Sequence, residues 1–160
     1  MADAAQRTRQ LFYQARLLLD AAHQPHDPLV EVAWQETCYE AALGALLKIE
    51  LSFLRELAEA YRLQPQRVQT PVDLQQQAQQ RDQRLYELEV WQEDRLGIGS
   101  RLKMMAAQLG QPRSEEAALV VPAGQIAVQR EELSPLEELE RLYQQLKAQV
   151  DMLRSGLLEE

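Results

Sequence analysis

The chain has 160 residues, 46% of them hydrophobic and 26% charged, with a formal net charge of −8. That length suits a single domain spanning 1–160, large enough to bury roughly 68–70% of its unfolded surface without staples. The acidic balance argues against nucleic-acid partners and anionic membrane surfaces, because both are held by a basic face that neutralises phosphate.

The spacing predicts a first helix from about Asp3 to His23. Leu11, Ala15, Leu18 and Ala22 form one stripe, widened by Phe12 and Leu19, and Arg7, Arg9, Gln10, Gln14 and Arg16 face away. Pro25 and Pro28 bracket a break, and Asp27-Pro28 supplies a cap and a first-turn proline. A long second helix is expected from about Pro28 to Leu63. Its middle, Ala41 to Ile49, is apolar nearly all round, so it takes the central place, with Glu36, Glu40, Arg55, Glu56 and Glu59 returning to solvent. Gly44 lies in that stretch at a propensity cost of about 1 kcal/mol, which implies close approach of a neighbouring helix.

Leu63 to Gln69, with Pro65, is a connector. Thr70-Pro71-Val72-Asp73 opens a third helix, expected to run to about Leu96. Leu74, Ala78, Leu85 and Leu88 keep a three-four step with Arg81 interrupting it, and Gln75 to Gln80 make a solvated face. Gly97-Ile98-Gly99 ends that helix, and Ser100 is placed to cap a short one reaching Leu109. From Arg113 to Val128 the pattern is the least helical. Leu119-Val120-Val121-Pro122 and Ile126-Ala127-Val128 flank Ala123-Gly124-Gln125, as an extended segment or loose hairpin would. The last helix opens at Ser134-Pro135-Leu136-Glu137 and runs to about Leu158. Leu136, Leu139, Tyr143, Leu146, Val150, Leu153 and Leu157 give it an unbroken three-four stripe. The expected fold is all-α: an antiparallel bundle of about four long helices and one short one, with an excursion near 119–128.

Few residues are spaced as catalytic or ligand-binding sets require. Di-iron bundles need Glu-x-x-His pairs on two helices, and the two histidines, His23 and His26, straddle a proline break, so no metal or other cofactor is expected. Cys38, the single cysteine, sits among acidic and apolar neighbours and reads as a buried structural thiol. Its solitude excludes an intrachain disulfide and suits a reducing compartment. Gly97 to Arg101 resembles an anion-binding helix start but suffices as a turn. Arg16 and His23 have the spacing of the Arg-x6-His pair of HEPN-type helical nucleases, a short pattern that chance often produces. Trp34 and Trp91 lie among Gln and Glu, and as exposed rings they would mark a protein-binding surface. The opening residues lack the apolar core of a signal peptide, and no run approaches the ~20 apolar residues that span a bilayer, so a cytoplasmic protein without membrane contact is expected.

A resemblance rests on Arg7-Thr8-Arg9, on Tyr13, Ala15 and Leu18, on Glu36 with Tyr39-Glu40-Ala41-Ala42-Leu43-Gly44, and on Tyr61-Arg62-Leu63. Over roughly the first 65 residues the chain resembles a family of small bacterial helical proteins classed only as a domain of unknown function. The resemblance implies a helical bacterial cytoplasmic protein and carries no catalytic residue. Two functions are therefore expected in order: a non-enzymatic interaction protein, acting on a partner or as a homodimer, and a HEPN-like domain binding or processing RNA or nucleotide.

Overall fold

The computed structural model describes residues 3–109 and 133–159. Among these there are seven α-helices and no strand: α1 (Asp3–Ala22), α2 (Pro28–Leu47), α3 (Ile49–Ala60), α4 (Pro71–Gln80), α5 (Tyr86–Glu93), α6 (Ile98–Leu109) and α7 (Pro135–Glu159). A single 3-10 turn, Pro65–Arg67, lies between α3 and α4. The excursion expected near 119–128 falls outside the described residues.

The helix openings follow the sequence grammar. Asp27 accepts from the Leu29 amide at the start of α2. Thr70 and Asp73 exchange both bonds of a capping box at α4, and Ser134 and Glu137 do the same at α7. The last stripe is buried as expected: Leu139, Tyr143, Leu146, Val150 and Leu153 are core residues, joined by Leu142. Polar contacts fix the helix directions. Trp34 at the start of α2 bonds the Ala21 carbonyl at the end of α1, while Thr8 near the start of α1 meets Ser52 on α3 at 2.7 Å. The α2–α3 arm therefore runs antiparallel to α1. On α7, Glu140 meets Arg16 and Arg154 meets the Ala5 carbonyl, so α7 is also antiparallel to α1. Phe53, Leu54, Leu57 and Ile49 sit at the centre of the resulting core.

Five expectations need correction. The second helix does not run unbroken to Leu63. It divides at Lys48, whose amide turns back to the carbonyls of Ala45 and Leu46 in a tightened turn, and the new helix α3 starts at Ile49. The third helix also divides. Arg81 closes α4, Asp82 adopts a left-handed φ of 52°, and α5 begins only at Tyr86. The Arg81 guanidinium donates to the Arg62 carbonyl, which holds this break against the preceding connector. Gly44 is not a point of close approach within the chain, since a Cβ added there meets nothing within 4 Å. Glu56 does not return to solvent; it is 8% exposed and bonded to Arg154. Finally, Ser100 is not the cap of α6. Gly97 takes φ +66° before Ile98, and the Asp94 carboxylate reaches forward to the amides of Gly99 and Ser100.

Candidate functional site

A polar cluster and a groove lie between α1, α2, α6 and α7. Arg16 sits on the fourth turn of α1 and His23 just past the helix end, seven residues on. Both meet Glu140 of α7: Arg16 Nη2 donates to Oε1 at 3.0 Å, and His23 Nε2 lies 3.2 Å from Oε2. Arg16 also donates twice to Asp20 and lies over the Tyr143 ring at 5.2 Å. Its guanidinium, held between two carboxylates, has its pKa raised, chiefly by the hydrogen bond to Asp20. Glu140 is held below the usual carboxylate range, first by Arg16 and then by His23. The two sequence-matched residues thus converge, but on an acidic group that satisfies the cation a phosphate would need.

Beside this cluster, the first half of α2, the end of α6 and the start of α7 enclose a groove of about 840 Å³. Val32, Tyr39, Met105 and Leu136 give it apolar walls, and Glu36, Glu40 and Glu137 stand on its rim. Arg101 of α6 crosses it to form a two-pronged pair with Glu138 of α7. That hydrogen bond draws Glu138 below the ordinary carboxylate range. Burial pushes the Tyr39 phenol up, and the Glu138 charge adds to the effect. The glycine turn before α6 has its helix N-terminus filled by the chain itself. Asp94 accepts from two amides and the Ser100 hydroxyl, and Arg101 is turned toward Glu138, so the pattern serves as a turn.

Both tryptophans are half-buried. Trp34 donates to the Ala21 carbonyl at 2.8 Å, and its ring lies 4.5 Å from that of His26. Trp91 packs on Phe53 with ring centroids 4.9 Å apart and donates to Glu50 at 3.3 Å. His23 and His26 are therefore committed to different neighbours. Among the described residues no three His, Cys, Asp or Glu side chains are grouped to hold a metal ion. Cys38 is buried, and burial raises its thiol pKa, the opposite of nucleophile activation. Glu138 and Glu140 were invisible as partners in the sequence. They lie 37 and 124 residues from Arg101 and Arg16, and on their own helix they are ordinary charges beside the apolar stripe.

Residues 1–159 match the family of unknown function DUF6586, and the chain belongs to that family. The likeness therefore extends through α7 as well as the first 65 residues. No curated protein and no solved structure matches the chain. Among the described residues no helix is long and apolar enough to cross a membrane.

Proposed function

We propose that this is a non-enzymatic helical interaction module, a bacterial cytoplasmic protein that works by presenting a helix face to a protein partner or to a second copy. The observation that carries this reading is the apolar surface left on the first two helices. Tyr13 and Leu17 on α1 are 65% and 50% exposed, and Leu29, Val30 and Val32 on α2 are 92%, 50% and 64% exposed. Single exposed apolar residues are ordinary; here Tyr13 and Leu17 stand one turn apart on α1, Leu29 and Val30 share the first turn of α2, and Val32 also lines the groove between α2, α6 and α7, and such groups support a contact surface. Trp34 stands in the same turns of α2 and is assigned a partner-binding role at the edge of that surface. Trp91 borders a separate groove with Leu46, Lys103 and Gln149 and is the second candidate. The polar groups support the same reading, because Arg16, Arg101 and Arg154 are spent on carboxylates of the chain itself. Light scattering and affinity capture with the full chain test it. Association that Leu17→Glu or Trp34→Ala weakens, with helicity intact, is the expected result. A strict monomer that captures nothing would overturn it.

The convergence of Arg16 and His23 favours one second reading, a HEPN-like domain acting on RNA. It requires Arg16 to leave Asp20 and Glu140 for a phosphate. Cleavage of RNA by the purified chain, lost in His23→Ala, would establish it, and no cleavage would end it.

A further inference from the structure

Gly44 is the anomaly from which the partner can be named. It lies in the last turn of α2, where glycine weakens a helix by up to about 1 kcal/mol relative to alanine. Positive φ among the described glycines is confined to Gly97, so the backbone at Gly44 makes no demand for glycine. A Cβ there would meet nothing within 4 Å, so packing inside the chain makes no such demand either. Gly44 instead forms the floor of an apolar groove of about 560 Å³ between α1 and α2, with Ala41 and Ala45 beside it and Leu17 and Leu18 as the wall.

The charges around Gly44 select the occupant. Glu40 and Lys48 stand one turn before and one turn after it, both exposed and neither in an ion pair among the described residues. Lys48 closes α2 but keeps a right-handed helical backbone, φ −78° and ψ −14°, so it and Glu40 flank Gly44 as i+4 and i−4 positions do, each about 6 Å along the axis. If a second α2 crosses antiparallel at Gly44, residue 44+n of one copy lies opposite 44−n of the other. Lys48 of each copy then faces Glu40 of its mate, twice over, and the two i±4 ridges cross as in the commonest helix packing. An unrelated helix has no reason to match this palindrome of charge.

We propose that two copies of this chain pair through their α1–α2 faces, with the α2 helices antiparallel and crossing at Gly44. The proposal rests on the interaction-module reading and names its partner as the chain itself. Sedimentation of the full chain over a concentration series tests it. The wild type is dimeric. Gly44→Leu, which adds bulk where the monomer has open space, keeps its helicity and weakens the dimer at least about tenfold, a change of about 1.4 kcal/mol or more. Lys48→Glu weakens it similarly, and adding Glu40→Lys restores it. In a Cys38→Ser background, Gly44→Cys forms a disulfide between copies under mild oxidation. A wild-type monomer that still binds another protein through Leu17 overturns this proposal and leaves the module reading standing. A monomer that binds nothing sinks both. A dimer indifferent to Gly44→Leu and Lys48→Glu places the contact elsewhere and also overturns it.

Discussion

Arg154, four-fifths of the way along α7, grips Glu56 of α3 through two hydrogen bonds: Nε to Oε1 at 2.6 Å and Nη2 to Oε2 at 2.9 Å. The residues are 98 apart in sequence, their side chains are 18% and 10% exposed, and the same guanidinium reaches the Ala5 carbonyl of α1. One cation therefore clamps three helices at the end of the bundle away from the Arg16 cluster. Breaking such a pair leaves a carboxylate in a place that water reaches poorly. Arg154→Met is expected to lower stability by about 3 kcal/mol in urea denaturation, whereas Arg154→Met with Glu56→Leu recovers most of the loss. A double variant as unstable as the single one would mean that the pair itself stabilises, beyond satisfying a buried charge.

Leu146 sits at the middle of the α7 stripe and is 4% exposed. Leu146→Ala removes three buried carbons and opens a cavity, so a loss of about 2–5 kcal/mol is expected. A loss below about 0.5 kcal/mol, the range of surface changes, would mean that α7 is not docked in solution.

How much of this was legible in the sequence depends on which force sets each feature. The α7 stripe and the openings at Asp27, Thr70 and Ser134 were legible because caps and period are local. The breaks at Lys48 and Arg81 were not. The first puts no proline in the helix and leaves both flanks helical, and the tightened turn at Lys48 carries no residue type that marks a helix end. At Arg81 the signal was present as a charge inside the apolar step, and its weight came from a bond to the distant Arg62 carbonyl. For the candidate site, Arg16 and His23 were picked by spacing, but the group that unites them, Glu140, is on another helix. The lack of a close neighbour at Gly44 is likewise a tertiary fact.

Trp91 joins α5 to α3. Its ring rests on the fully buried Phe53 and its N–H on Glu50. A half-buried indole contributes less than a fully buried one, so Trp91→Ala is expected to cost about 2 kcal/mol, below the 3–5 kcal/mol of a core tryptophan. Trp91→Phe keeps the ring contact and should recover about half. This separates a structural role from a binding one, since a pure contact residue would change association and leave the denaturation midpoint alone.

Acid should loosen α6 from α7. Glu138 has its folded-state pKa lowered by the Arg101 hydrogen bond. A depressed carboxylate contributes stability above its unfolded pKa, about 4.3 for glutamate, and that contribution is lost as pH falls through the lower folded value. Glu138→Gln should therefore be less stable than wild type at neutral pH, with the difference shrinking as pH drops below about 4. Glu140 is depressed in the same direction by Arg16 and His23, so the wild type itself still destabilises in acid. An unchanged gap between the two proteins from neutral to strongly acid pH would show that the Arg101 bond does not form in solution.

Gly44→Ala isolates the helix cost of the glycine from any effect on pairing. At concentrations low enough to keep the chain monomeric, the new methyl meets no atom within 4 Å, and the unfolded chain loses freedom. The variant should be more stable by about 0.5–1 kcal/mol. The methyl adds little width at the crossing, so the dimer should weaken far less than with Gly44→Leu. The two measurements then pull in opposite directions on one residue: gain in the monomer, loss in the pair. If Gly44→Ala destabilises the dilute chain instead, some group of the folded monomer occupies the space above Gly44, and that side of α2 is already covered.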